Sequence, residues 1–88
     1  MAAQKKVALI TGAGTGIGRA AALALAADSY AIVLSGRRPE PLAAVEKEVK
    51  QAGVTTLVVL ADVGDPAAVK ALFAKAKEKF GRLDLLFN

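Results

Sequence analysis

Apolar residues along this chain fall into short continuous runs separated by segments of helical spacing. Continuous runs cover residues 6–11, 30–35 and 55–61, and a further one begins within residues 82–88. A run without alternating polar positions is typical of a parallel strand that is buried on both faces, and residues 55–61 are also rich in β-branched side chains. The pattern therefore predicts four strands, the second of which ends at Gly36.

Two of the segments between these runs are helical in different ways. Residues 17–27 carry hardly a polar side chain besides Arg19, so we expect a helix that is covered on most sides. The next helix opens at Pro39, whose φ suits the first helical position, and is closed by Gly53. Its apolar residues recur at i, i+3 and i+7, namely Leu42, Val45 and Val49.

The third helix has start and stop signals at both ends. Asp65 is expected at the N-cap, Pro66 at the first helical position and Gly81 just past the last one. One face of this helix carries the apolar residues Val69, Leu72, Phe73, Ala76 and Phe80.

Strands and helices that alternate over short connections predict an α/β fold, a doubly wound parallel sheet of the Rossmann type with strand order 3-2-1-4. This corresponds to the amino-terminal half of such a fold. An apolar fourth strand with an open edge would invite aggregation, so we expect residues 1–88 to be the dinucleotide-binding half of a single domain, truncated after that strand. Ligands are expected beyond the carboxyl ends of the strands, between the first and fourth.

A glycine-rich turn, residues 12–18, joins the first strand to the first helix. Glycine permits the positive φ of a tight turn and lets a phosphate approach the backbone where no Cβ intervenes. The unpaired N–H groups at the helix N-terminus also favour an anion. The segment therefore predicts a phosphate cradle, and the alternative is a turn whose glycines serve only close packing.

The general dinucleotide and P-loop fingerprints both fail here, because a required glycine would fall on Ile17 or Arg19. The spacing that fits is Thr11-Gly12-x-x-x-Gly16-x-Gly18, and in it the sequence resembles the classical short-chain dehydrogenase/reductase family. The resemblance implies that the pyrophosphate and nicotinamide side of a dinucleotide is surrounded by Gly12, Thr15, Gly16, Ile17 and Gly18.

The resemblance extends along nearly the whole chain. Asp62-Val63 is similar to the family's Asp-Val pair, which implies that these residues contact the adenine; a cap or turn role is the alternative for Asp62. Residues 83–88 resemble the lead into the family's Asn-Asn-Ala-Gly motif, so Asn88 is expected beside the neighbouring ribose or the sheet.

The nature of the nucleotide is indicated by the end of the second strand, Ser35-Gly36-Arg37-Arg38. A carboxylate at this point would bind the ribose 2′-hydroxyl of NAD, whereas an arginine suits the 2′-phosphate of NADP. We therefore expect NADP, held by Arg37 and Arg38, with NAD as the alternative. A solvated loop is the other interpretation of the two arginines.

The family's reaction is hydride transfer between NAD(P) and a carbonyl or alcohol, so the resemblance implies an oxidoreductase acting on a small molecule. The family's catalytic set is a serine, an asparagine and a Tyr-x-x-x-Lys pair, and the resemblance implies that these positions lie beyond Asn88. The only tyrosine of this chain, Tyr30, has Leu34 four residues after it. Tyr30 is instead expected in the core or at its edge. No catalytic residue is assigned to this chain, and a non-catalytic NADP(H)-binding module is the alternative function.

Composition narrows the remaining possibilities. The 88 residues carry a net charge of +4 and contain no cysteine or histidine, which excludes disulfides, thiolate or imidazole metal ligands and histidine acid–base catalysis. Lysines spaced among glutamates and alanines indicate solvated helix faces and no nucleic-acid surface. No apolar run is long enough to span a membrane, and we expect a cytoplasmic protein. The resemblance implies a homo-oligomer, a dimer or tetramer.

Overall fold

The computed structural model describes residues 6–14 and 16–88, in which strands and helices alternate along the chain. The strands are β1 (Val7–Thr11), β2 (Ala31–Gly36), β3 (Thr56–Leu60) and β4 (Leu85–Phe87). The helices between them are α1 (Gly16–Ala27), α2 (Pro39–Lys50) and α3 (Pro66–Phe80). The predicted order of elements is confirmed, with strand ends that differ by one to three residues.

All strand pairs are parallel, and the sheet has the order β3-β2-β1-β4. In the register of β1 with β2, Thr11 lies opposite Ser35, and in that of β2 with β3, Ser35 lies opposite Val59. The predicted doubly wound topology is confirmed. Consequently the glycine turn, the loop after β2 and the loop after β3 all leave the sheet at the same edge.

Each face of the sheet has its own apolar core. Ala8 and Ile10 of β1 pack into the cluster that contains the buried residues of α2, whereas Val7 and Leu9 pack into the cluster that contains Leu72 of α3. Each fully buried large aliphatic side chain contributes about 1.5–3 kcal/mol relative to an exposed one. The continuous apolar runs are thus explained by helices that cover both faces of the sheet.

Helix α1 differs from the expectation that it would be covered on most sides. Its buried residues are Gly18, Ala22 and Ala26, one stripe at intervals of four residues. Ile17 is 78% exposed, and Ala20 is also exposed. The prediction was wrong for the described residues because α1 packs against the sheet through one stripe, and an alanine-rich sequence does not by itself indicate which faces are covered.

The ends of the helices follow the predicted signals with one exception. The side chain of Asp65 accepts a hydrogen bond from the Ala67 N–H at 3.0 Å, and Gly81 ends α3 in the left-handed conformation with φ 74°. Helix α2 ends at Lys50, before Gly53, which completes the following turn with φ 82°. None of the helices in the described ranges is both long and apolar enough to cross a bilayer.

Candidate nucleotide-binding site

The glycine turn is fixed to the end of the neighbouring strand β2. The Ala13 N–H donates to the Ser35 carbonyl oxygen at 3.0 Å, and the Ala13 side chain is fully buried. Gly12 has φ 63°, a left-handed conformation that disfavours any residue with a Cβ. The turn therefore leaves β1 sharply and returns the chain into α1 above the carboxyl edge of the sheet.

Gly18 is closely packed against the turn, whereas Gly16 is exposed. A Cβ added to Gly18 would overlap the Gly12 carbonyl oxygen and lie 2.8 Å from the Gly12 carbonyl carbon, so this glycine allows α1 to pack against the turn. Among the described residues, a Cβ built on Gly16 has no neighbour within 4 Å apart from the adjoining residues and the backbone of its own helix, and Gly16 already lies in the right-handed helix α1. The described residues thus supply a reason for glycine at Gly18 and Gly12 but not at Gly16.

Helix α1 begins at Gly16 and presents its N-terminus at this edge. Its first turn contains no acidic side chain, so nothing there neutralises the partial positive charge of the helix N-terminus. Thr15, which the sequence places at the same point, lies outside the described residues. Gly16 and Ile17, which are predicted together with Thr15 to contact the nucleotide, are both solvent-exposed.

A cleft of about 460 Å³ opens beside the glycine turn, over the ends of β1, β2 and β3. It is lined by the glycine turn, by the loop after β2 with the first turn of α2, and by the residues that follow β3. Its lining residues are Gly12, Gly14, Gly36, Arg37, Arg38, Pro41, Leu42, Ala61 and Val63. The structure thus brings the two predicted arginines and Val63 to one cleft with Gly12.

The positive charge beside the cleft comes from the side chains of Arg37 and Arg38 more than from the N-terminus of α2. Pro39 and Pro41 occupy the first turn of this helix and have no N–H to donate, and Glu40 between them is acidic. Arg38 takes the N-cap position without a side-chain capping bond. An anion in the cleft would therefore depend on the guanidinium groups of Arg37 and Arg38 for its charge-assisted hydrogen bonds.

Asp62 forms a tight turn directly after β3. Its Oδ1 accepts the Gly64 N–H at 2.9 Å, and its main-chain oxygen accepts the Asp65 N–H at 2.9 Å. The turn role considered for Asp62 is therefore present, and the exposed carboxylate has a second oxygen with which to contact a ligand. Val63, 55% exposed, offers an apolar surface to the cleft.

Asn88 lies on the other side of β1 from the cleft. The Thr11 hydroxyl donates to the Asn88 Oδ1 at 2.7 Å, which joins the end of β1 to the residue after β4. Of the two places expected for Asn88, the structure describes the contact with the sheet.

An ion pair joins the two helices on the α1 side of the sheet. Arg19 Nε donates to Glu48 Oε1 at 2.8 Å, and a terminal nitrogen of Arg19 contacts the other carboxylate oxygen. The hydrogen bond lowers the pKa of Glu48 and raises the pKa of Arg19 from their ordinary values. Because both side chains are exposed, solvent and salt screen the pair, and its stabilising effect is small.

Sequence reasoning did not anticipate the contact between Gly14 and Pro41, two residues that line the cleft. Gly14 belongs to the glycine turn but has no place in the spacing that carried the resemblance. Pro41 is a second proline in the first turn of α2, and that unusual repetition was the only signal for it in the sequence.

The sequence model for short chain dehydrogenases matches residues 6–88. The chain belongs to this family. A 3beta-hydroxysteroid dehydrogenase of Mediterraneibacter gnavus is 43% identical to this chain over 84 residues, which are 96% of the chain and 30% of the relative. The chain thus spans about a third of the length of such curated relatives.

Solved short-chain dehydrogenase structures share the fold. Levodione reductase superposes with a TM-score of 0.91 at 40% identity over 94% of this chain and 33% of its own. NAD+-bound xylitol dehydrogenase gives 0.90 at 38% identity, over 92% and 31%. An alcohol dehydrogenase of Thermococcus sibiricus, complexed with 5-hydroxy-NADP, gives 0.89 at 40% identity, over 93% and 35%.

Proposed function

We propose that this short-chain dehydrogenase chain supplies the cofactor-binding part of an NADP(H)-dependent oxidoreductase. The reaction is hydride transfer between NADP(H) and a small carbonyl or alcohol substrate. When bound, the nicotinamide supplies the hydride chemistry. The residues of this chain bind and orient the nucleotide, and the catalytic residues belong to the protein beyond Asn88.

The observation that carries the proposal is the unexplained glycine at the start of α1. Neither backbone conformation nor packing among the described residues requires glycine at Gly16, in contrast with Gly12 and Gly18. A glycine within a helix costs roughly 0.5–1 kcal/mol relative to alanine. Close approach of a pyrophosphate to the bare backbone at the helix N-terminus gives Gly16 a reason.

The adenosine end of the nucleotide fits the cleft beside the glycine turn. Arg37 and Arg38 would hold the 2′-phosphate, and no carboxylate stands at Gly36 to favour a free ribose 2′-hydroxyl. Asp62 and Val63 would contact the adenine. The dinucleotide would continue past Gly12, Thr15, Gly16, Ile17 and Gly18 toward Asn88.

NAD remains the alternative nucleotide, since xylitol dehydrogenase with NAD+ and the Thermococcus sibiricus enzyme with an NADP derivative are both similar to this chain. The two arginines are the reason to prefer NADP. A non-catalytic binding module is less well supported, because the relatives that match are dehydrogenases and reductases.

The same proposal includes expectations about the whole protein. Residues 1–88 would form one half of a single nucleotide-binding domain, in a cytoplasmic homo-oligomer that works without nucleic acid or membrane partners. Tyr30 is unsuited to catalysis, since it is half-buried against the core on the α1 side of the sheet.

The substitution Arg37→Asp tests the nucleotide assignment. In the full-length protein it should weaken NADPH binding and reverse the preference for NADPH over NADH, because a carboxylate repels the 2′-phosphate and accepts the 2′-hydroxyl. Dissociation constants from nucleotide fluorescence measure this directly. Lys75→Asp, which makes the same charge change on an exposed position of α3 across the sheet, is the matched control. An unchanged preference in Arg37→Asp would remove the phosphate site from Arg37.

A further inference from the structure

The second glycine of the turn packs against the start of helix α2. A Cβ built on Gly14 would lie 2.6 Å from the Cβ of Pro41, and 3.5 Å and 3.6 Å from the Pro41 carbonyl carbon and the Leu42 nitrogen. The first distance is too short for two carbon atoms, and a proline ring carbon cannot swing away from it. Because Gly14 has no positive φ, this contact is the described reason that the position excludes a side chain.

A second contact holds the same turn of α2 from the end of β2. A Cβ built on Gly36 would lie 3.3 Å from Leu42 Cδ2, and Leu42 itself is buried in the core. Both glycines, together with Pro41 and Leu42, line the cleft. The first turn of α2 is therefore held close to the sheet at two points.

Only Arg37 and Arg38 lie between Gly36 and the first residue of α2. A loop this short follows any displacement of the helix that anchors its second end. The prolines of the first turn remove two N–H donors that could otherwise hold an anion near the arginines. The affinity of the cleft for a phosphate thus depends on the positions of the two guanidinium groups.

We infer that Pro41, seated on Gly14, is a positioning residue that sets the discrimination of this protein for nucleotides with a 2′-phosphate. The contact fixes the start of α2 and, through it, the loop that carries Arg37 and Arg38. This inference rests on the proposed function, since it concerns how tightly the assigned phosphate site is held. It assigns specificity to two residues whose side chains carry no charge and no hydrogen-bonding group.

The test compares adenosine 2′,5′-bisphosphate with AMP, two probes that differ by the 2′-phosphate and need no catalysis. Dissociation constants are measured by calorimetry on the full-length protein and on Gly14→Ala, which should reduce the preference for the bisphosphate about tenfold, the loss of roughly one charge-assisted hydrogen bond. Since Gly14 lines the cleft, its new methyl group can weaken the binding of both probes, and the ratio of the two dissociation constants is therefore the readout. In Gly14→Ala/Pro41→Gly the new Cβ at position 14 takes the space that the Pro41 Cβ leaves, so the contact is restored and the preference should return to within about twofold of the wild type.

Pro39→Gly is the matched control, because it makes the same proline-to-glycine change in the same helical turn at a residue that is not among the nearest neighbours of a Cβ built on Gly14. The double variant Gly14→Ala/Pro39→Gly should keep the reduced preference. Equal behaviour of the two double variants, or a Gly14→Ala variant with unaltered preference, overturns the inference.

If Gly14→Ala alone does not fold, the double variants decide the question. Recovery of both folding and preference by Pro41→Gly, and not by Pro39→Gly, supports the inference, and lack of recovery overturns it. A wild-type protein that binds both probes equally refutes the NADP assignment itself.

Discussion

Asp84 and Val7 exchange two hydrogen bonds across the start of the β1–β4 pair. Asp84 Oδ2 accepts the Val7 N–H at 2.8 Å, and the Asp84 N–H donates to the Val7 carbonyl oxygen at 2.9 Å. Arg82 adds two bonds to the same carboxylate, at 2.8 Å and 2.7 Å. One side chain thus aligns the short strand β4 with the buried strand β1.

The first prediction is a pH dependence of stability that arises at Asp84. The hydrogen bond from Arg82, followed by that from the Val7 N–H, lowers the pKa of this carboxyl from its ordinary value. Since the folded-state pKa is the lower one, the stabilisation is complete above the unfolded pKa of about 3.9 and is lost as pH falls through the folded value. Urea unfolding of the full-length protein between about pH 6 and pH 2 measures the loss.

Asp84→Asn is the corresponding variant. Its amide oxygen can still accept the Val7 N–H, but it carries no charge and does not titrate. The urea midpoint of the variant should therefore fall less steeply below about pH 4 than that of the wild type. Parallel curves would show that Asp84 has no shifted pKa. Glu48→Gln provides a comparison, since Arg19 also lowers the pKa of Glu48, in the ion pair between α1 and α2, and this variant too should lose part of the pH dependence.

The second prediction concerns the bond between Thr11 and Asn88 at the opposite end of the same strand pair. Thr11→Val keeps the shape of the side chain but removes the hydroxyl that donates to Asn88 Oδ1 at 2.7 Å. We expect a loss of about 0.5–1 kcal/mol of unfolding free energy, because the bond is solvent-exposed. Thr11→Ser, which retains the hydroxyl, should recover most of it in denaturant titrations. Equal stability of the valine and serine variants would contradict a stabilising role for the bond.

The sequence was sufficient for the order of elements and the topology because the strands are buried on both faces. Such strands appear as continuous apolar runs, and the short connections between them and the helices leave few arrangements of a parallel sheet. The caps of α3 at Asp65 and Gly81 could be predicted for a similar reason, since each cap residue forms its hydrogen bond with a residue only a few positions away in the chain.

The contacts that shape the cleft could not be predicted in the same way. Gly14 and Pro41 meet only because α2 packs beside the glycine turn, and no local pattern records a contact between residues so far apart in the chain. The exposed positions of α1, such as Ala20, were missed because an apolar helix does not reveal which of its faces has a partner. The residues expected to contact the nucleotide came from the resemblance and the glycine spacing, and their roles remain predictions.

The third prediction separates the turn role of Asp62 from its proposed contact with adenine. In Asp62→Asn the amide oxygen can accept the Gly64 N–H, which keeps the turn, and the amide nitrogen then becomes a donor where a carboxylate oxygen stood. The adenine amino group is also a donor, so AMP should bind about tenfold more weakly. IMP, whose base carries an acceptor oxygen at that position, should gain relative to AMP. Calorimetry with both nucleotides measures the ratio, and an unchanged ratio would leave Asp62 with the turn role alone.

The fourth prediction distinguishes two kinds of glycine within one turn. In Gly18→Ala the new Cβ overlaps the Gly12 carbonyl group, so α1 must move away from the turn, at a cost of about 1–3 kcal/mol in unfolding free energy. In Gly16→Ala the Cβ meets no atom of the described residues within 4 Å, and alanine is the better helix former.

Gly16→Ala should therefore be as stable as the wild type or slightly more so, while the methyl group blocks the approach of a pyrophosphate. We expect NADPH to bind at least about tenfold more weakly to this variant, a change that thermal unfolding without nucleotide would not reveal. If Gly16→Ala binds NADPH as well as the wild type does, the glycine has no role in pyrophosphate binding. The helix N-terminus would then lose its assigned ligand, because Gly16 is the glycine of the turn for which neither packing nor backbone conformation among the described residues offers an explanation.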